Sequence, residues 1–350
     1  MSRLFEPLQL GDLELANRII MSPLTRSRAS KGRIPNALMG EYYRQRSSAG
    51  LILSEATAVT PMGVGYADTP GIWSNEQVDG WKKITQAVHE NNGRIFLQLW
   101  HVGRISHPIF LEGQLPVAPS AVKPAGRVSL VRPKTEYVTP RALELDEIPG
   151  IIDAYRQGAK NAKKAGFDGV EIHGANGYLL DQFLQDSTNK RTDMYGGPVE
   201  NRARLLLEVT DAVLEVWSKD RVGVHLAPRG DAHDMGDSNP LKTFSHVAQA
   251  LGQRGIAFLC TREYQANDSI SAVLKKEFKG TLISNEKFTL KSAEKLLEAG
   301  HADAVAFGQL FIANPDLPRR FALNAELNAP DPETFYGGGA KGYTDYLFFE

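Results

Sequence analysis

Three residues of "HGANGY", His173, Asn176 and Tyr178, can each share a proton or donate a hydrogen bond. The apolar run "FDGVEI" precedes them, and apolar residues at helical spacing follow. The trio therefore sits where a strand hands over to a helix. Comparable groups stand at the ends of the other apolar runs. They are Pro23, Leu24 and Thr25; Glu55, Ala56 and Thr57; Gln98, Trp100 and His101; His225; Asn285; and Gly308 with Gln309. The set is rich in hydrogen-bonding groups and aromatic surface and poor in carboxylates.

Three chemistries compete for these residues. A metal hydrolase would draw on His101, His173, His225 and His233, but no HxH or HExxH spacing is present, and the usual carboxylate or thiolate co-ligands are missing. We therefore expect no metal. A glycosidase would need Glu55 and Glu171 across a cleft; Glu171 lies two residues before His173, on the same strand face but deeper, as a structural glutamate would. A flat organic cofactor suits the set better. Gln98 both donates and accepts, as an imide edge requires, and Thr25 and the His173–Asn176 pair would hold further polar edges. A phosphate would rest on backbone N–H groups near Asn285, Glu286, Lys287, Gly308 and Gln309. That description fits FMN.

The positioning elements follow from the apolar pattern. Strand candidates are 18–23, 50–56, 94–101, 168–173, 221–228, 256–261, 281–285 and 303–308. Most are almost continuously apolar, as strands buried on both faces of a parallel sheet are. Helix candidates fall between them at 75–92, 147–165, 199–217, 241–254, 289–299 and 315–327, the last with an Asn cap and an early proline in "NPDLPRRF". This alternation predicts a single (β/α)8 TIM barrel over 1–350, and the GxGxxG of a doubly wound sheet is absent. "LFEPLQLGDLELANR" reads as a hairpin with a Gly-Asp turn closing the barrel's bottom. The stretch Val102–Pro140, rich in Pro, Gly and Ser, is a long excursion after strand 3 that would cover the upper face. The 350 residues carry a net charge of −1 with no basic block, which argues against nucleic acid or anionic membrane as partner. A single cysteine, Cys260, allows no intrachain disulfide, and the chain shows neither a signal h-region nor an apolar run near the ~18 residues of a membrane span. A cytoplasmic protein acting as monomer or homodimer is expected.

At ten places, in order, the chain resembles the Old Yellow Enzyme flavoproteins, most of all the bacterial N-ethylmaleimide, glycerol trinitrate and xenobiotic reductases. Among them are "NRIIMSPLTRSRA", "LQLWHVGRISHP", "FDGVEIHGANGYLLDQFL", "NKRTDMYGGPVENRARLLLEV" and "FIANPDLPRR". The resemblance implies that Pro23, Thr25, Ala56 and Gln98 touch the ring of non-covalent FMN. It implies that His173 and Asn176 grip a carbonyl or nitro oxygen of an electron-poor small molecule. Tyr178 would be the proton donor, Trp100 and Tyr66 pocket walls, and Tyr336 a neighbour of the flavin. NADPH or NADH would reduce the enzyme, and an activated alkene (an α,β-unsaturated carbonyl, maleimide or nitroalkene) would accept hydride and a proton from Tyr178. Reduction of nitrate esters or nitroaromatics is the alternative main activity, and a non-catalytic flavin-binding barrel a remote one. Two positions depart from the family pattern: His225 and Gln309 stand where most relatives carry arginines, toward the flavin's N1–C2 edge and the phosphate. An arginine is always charged; a histidine, with an ordinary pKa near ~6.5, is charged only when protonated.

Overall fold

A computed structural model describes residues 2–350. Apolar runs need cover on both faces, and the chain supplies it by closing them into a ring with helices outside. The strands are β1 (Ile19–Met21), β2 (Leu51–Leu53), β3 (Ile95–Trp100), β4 (Gly169–Gly174), β5 (Val222–Leu226), β6 (Phe258–Arg262), β7 (Thr281–Asn285) and β8 (Ala304–Phe307). Neighbours in sequence pair in parallel, and β8 pairs with β1, so the ring is the expected (β/α)8 barrel.

Side chains alternate in and out along each strand. On the inner face Phe96 and Phe258 fill the barrel at the level where Gly169 and Gly223 stand. A Cβ on Gly169 would come within 2.4 Å of the Phe96 ring, and one on Gly223 within 2.1 Å of the Phe258 ring. Below them the hairpin of Leu8–Leu10 and Leu13–Leu15 turns at Gly11 (φ +57°) and adds four leucines to the same inner cluster, sealing the bottom. Above them the inner parity passes from apolar to polar: Gln98 and Trp100 on β3, Glu171 and His173 on β4, His225 on β5, Arg262 on β6.

Helices on the outer face end where local chemistry stops them. Asn75–His89 begins with a capping box between Ser74 and Gln77, and Pro240–Arg254 is capped by Asn239 and ends on left-handed Gly255. The stretch read as one helix over 199–217 is two, Val199–Arg202 and Arg204–Leu214. The stretch 315–327 is also corrected: the helix is Leu317–Leu323, and its N-cap position belongs to Asp316. The asparagine of "NPDLPRRF", Asn314, instead ends the short helix Gln309–Ala313. Helices Ala37–Gln45 and Ser271–Phe278 were not expected; both are short and weakly patterned. The excursion after β3 holds a 3-10 turn at Pro108–Phe110, a bridge between Arg127 and Glu136, and a two-residue pairing of Val117–Ala118 with Arg141–Ala142. Its Val128 and Tyr137 pack on Tyr66, Trp100 and Ala56, so it roofs one side of the barrel mouth. No helix among the described residues is long and apolar enough to cross a membrane.

Candidate active site

Strand register builds the site. β3 and β4 pair Gln98 with Glu171, and β4 and β5 pair His173 with His225. Gln98 Nε2 consequently donates to Glu171 Oε2 at 2.7 Å and lies 3.3 Å from His225 Nδ1, while the His173 and His225 rings stack at 5.8 Å. After β4 the chain turns through Asn176 (φ +59°) and Gly177 (φ +76°), left-handed positions that asparagine and glycine tolerate. This turn swings Asn176 beside His173 and sets Tyr178 ahead of helix Leu179–Leu184.

A cavity of about 580 Å³ opens at the strand ends. Its lining includes every residue given a cofactor or substrate role except one: Pro23, Thr25, Ala56, Gln98, Trp100, His173, Asn176, Tyr178, His225, Asn285, Glu286, Lys287, Gly308, Gln309 and Tyr336; the strand-end candidates Glu55, Thr57 and His101 do not line it. Tyr66 stands outside the lining, behind Tyr178, and stacks on Trp100 at 5.5 Å. The cavity also takes in Arg262, which sequence reasoning missed because the sixth strand was ended at Thr261, one residue short.

Proton positions follow from the hydrogen bonds. The Ala175 N–H donates to His173 Nδ1 at 3.3 Å, so the ring's proton is on Nε2. Burial first, then the nearby His225, Arg262 and His233, hold His173 well below the usual histidine range, and it is neutral. His233 Nδ1 donates to the Asn176 main-chain carbonyl at 2.7 Å, and burial lowers its pKa as well. Its Nε2 therefore accepts from the Tyr66 hydroxyl at 3.3 Å, and Tyr66 oxygen accepts from Tyr178 at 2.9 Å. Burial raises the Tyr178 hydroxyl well above the ordinary tyrosine value, so it keeps its proton.

Several features invite a flat, polar ligand. Trp100 Nε1 and His225 Nε2 are buried, line the cavity and have no partner in the protein; buried polar atoms are seldom left so. The lining joins apolar surface from Pro23, Ala56 and Trp100 to these polar groups, as an aromatic ring with hydrogen-bonding edges requires. These residues fit FMN. Where the chain leaves β7 beside the cavity, Glu286 (φ +115°) and Lys287 (φ +55°) are non-glycine residues with left-handed φ. Such backbone costs about 1–3 kcal/mol per residue, which the surrounding contacts must offset. Glu286 turns its carboxylate to Arg262, and Lys287 Nζ lies 5.1 Å over the Tyr264 ring. Glu171, His225 and Cys260 bring ligating atoms within 4.8 Å of one another; burial keeps the Cys260 thiol protonated, and Gln98 donates to Glu171 Oε2 while Oε1 has no partner in the protein.

Residues 3–328 match the NADH:flavin oxidoreductase / NADH oxidase family. A Leishmania infantum protein described as a probable flavin mononucleotide-dependent alkene reductase is 42% identical, over 99% of this chain and 97% of its own. Morphinone reductase in complex with tetrahydroNAD superposes with a TM-score of 0.95 at 51% identity, covering 99% and 98% of the two chains. An old yellow enzyme homologue from Zymomonas mobilis gives a TM-score of 0.96 at 47% identity, covering 99% of each.

Proposed function

The chain belongs to the NADH:flavin oxidoreductase / NADH oxidase family, as an Old Yellow Enzyme flavoprotein, and on that premise we propose how its residues reduce activated C=C bonds. The enzyme is an FMN-dependent oxidoreductase that takes its electrons from a nicotinamide nucleotide. FMN supplies the hydride; the protein's work is binding, orientation and proton supply.

One observation carries the assignment of roles: two neutral donors, His173 Nε2–H and the Asn176 amide, stand at the cavity beside a protonated Tyr178. Both donors reach one carbonyl or nitro oxygen of the substrate. Their hydrogen bonds strengthen as that oxygen gains negative charge, and neutral donors do so without protonating it outright. Tyr178 then gives its phenolic proton to the substrate carbon α to the carbonyl. The acid is weak, and an enolate-like carbon is basic enough to take its proton. Thr25, Pro23, Ala56, Gln98 and His225 would seat the ring. Backbone N–H groups at Asn285–Lys287 and Gly308–Gln309 would hold the phosphate, with the Glu286 carboxylate neutralised by Arg262. Tyr336 would border the ring, Trp100 would wall the pocket, and Tyr66 would contribute through Tyr178. Residues 1–350 would act as one FMN-binding domain, in a cytoplasmic monomer or homodimer.

An anaerobic titration tests this. The purified yellow protein is bleached with NADPH or NADH, then mixed with 2-cyclohexenone and, separately, with a nitrate ester. Recolouring by the enone, with cyclohexanone formed, is the expected result. Recolouring by the nitrate ester alone would overturn ene reduction as the main activity.

A further inference from the structure

Asn176 has two oxygens, and the protein occupies both. His233 Nδ1 donates to the main-chain carbonyl at 2.7 Å, and Arg262 Nη1 donates to Oδ1 at 2.8 Å. A guanidinium has donors only. Flipping the Asn176 amide would set its NH2 against an N–H of Arg262, so the amide has one permitted orientation, in which Nδ2 is the group free to donate. Arg262 is itself held: its Nε donates to Glu286 Oε2, on the segment that leaves β7. The inner parity of β6, through Phe258 and Cys260, aims Arg262 at the cavity rather than at the outer helices. Glu286 reaches it from a backbone position, φ +115°, that glycine would occupy without strain and glutamate does not. Two neighbouring strand ends thus spend a salt bridge and a strained residue on one amide oxygen.

We infer that Arg262, fixed by Glu286, is a positioning residue that locks the Asn176 amide with its NH2 toward the substrate's oxygen. The inference rests on the reading of His173 and Asn176 as the grip on that oxygen. Arg262 acts through Asn176, and its contribution should vanish when Asn176 has no amide to orient. The guanidinium also draws electron density from Oδ1, which makes the opposite N–H a better donor.

A double-mutant cycle on the FMN-loaded protein tests this, with acetophenone, a ketone lacking a reducible alkene, as the probe. Its dissociation constant is read from the perturbation of flavin absorbance, and melting temperature is recorded for every variant. We expect Asn176→Ala and Arg262→Leu each to weaken binding by about tenfold, the upper end for one neutral hydrogen bond. The double variant should bind no more weakly than Asn176→Ala alone. Glu286→Gly gives a second reading that does not depend on tolerance of Arg262→Leu. It relieves the backbone and frees the guanidinium, so melting temperature should hold or rise while acetophenone binding weakens. Full additivity in the double variant, or unchanged affinity in both Arg262→Leu and Glu286→Gly, would overturn the inference. Unchanged affinity in Asn176→Ala would instead overturn the grip itself.

Discussion

Replacing Tyr178 with phenylalanine isolates proton donation from everything else the residue does. The ring meets Trp100 edge-on at 5.0 Å and His173 edge-on at 5.1 Å, and phenylalanine keeps both contacts. What is lost is one hydroxyl and its 2.9 Å bond to Tyr66. A neutral hydrogen bond of this kind contributes about 1 kcal/mol net, so urea denaturation should show a loss of that size and no more. The catalytic loss is larger. A positioned general acid accelerates its step by roughly 10²- to 10⁴-fold, and on the proposed reading His173 Nε2–H is taken by the substrate oxygen and does not replace it. Reoxidation of the reduced enzyme by 2-cyclohexenone should therefore slow by about that factor, whereas reduction of a nitroaromatic, which needs no proton from this tyrosine, should change by less than about threefold. Stopped-flow mixing of the prereduced variant with each substrate measures both. Equal slowing with the two substrates, or an enone rate within threefold of wild type, would refute the role given to Tyr178.

Three further outcomes are expected. Arg26 is fully buried, and its guanidinium holds the carbonyls of Phe335 and Gly342 at 2.9 Å each. Arg26→Met should cost about 3–5 kcal/mol in urea denaturation and speed FMN loss, since Phe335 and Tyr336 wall the cavity. Burial pushes Glu55 up to about 7. A carboxyl whose folded pKa exceeds its unfolded value near ~4.5 gives stability that is complete below that value and declines as pH rises toward 7. The contribution is about 3 kcal/mol, so denaturation at pH 5 and pH 8 should show wild type losing more stability than Glu55→Gln between them. His225→Arg puts a permanent cation at the wall of the cavity that would hold the flavin and should raise its midpoint potential; a potential equal to that of wild type would refute this.

The barrel was legible because its signal is redundant: eight apolar runs, each of strand length, are separated by segments long enough to return in parallel. Helices were read best where caps were written in local sequence, as at Ser74 and Asn239, and worst where they are short. Gln309–Ala313 has five residues and Ser271–Phe278 eight, too few for a clear periodic stripe to form. The site residues were legible as chemistry because inner parity and the strand ends select them; Gln98, His173 and His225 follow from the period of two alone. Arg262 obeys the same parity and was still missed, since a charged residue closing an apolar run reads as the first residue of a loop. Its partner Glu286 carries no sequence signal at all. Nothing in "SNEKF" says that its backbone is left-handed or that its carboxylate crosses to another strand.

That asymmetry has a physical source. Groups that touch substrate must lie on the inner faces of strands, and periodicity reports faces. Groups that orient them are selected by distance across the barrel mouth, between strands adjacent in space whose loops differ in length. Asn176, Arg262 and Glu286 meet from β4, β6 and β7, and the first and last are 110 residues apart. His233 reaches the same asparagine from the loop after β5, with φ +59° at its own backbone. On the proposed reading His173 and Asn176 form the grip, and Arg262, Glu286 and His233 decide how rigidly Asn176 is held. Differences in substrate preference among barrels that share "HGANGY" should therefore be sought at the ends of β5, β6 and β7, where the orienting groups stand, before they are sought in the grip itself.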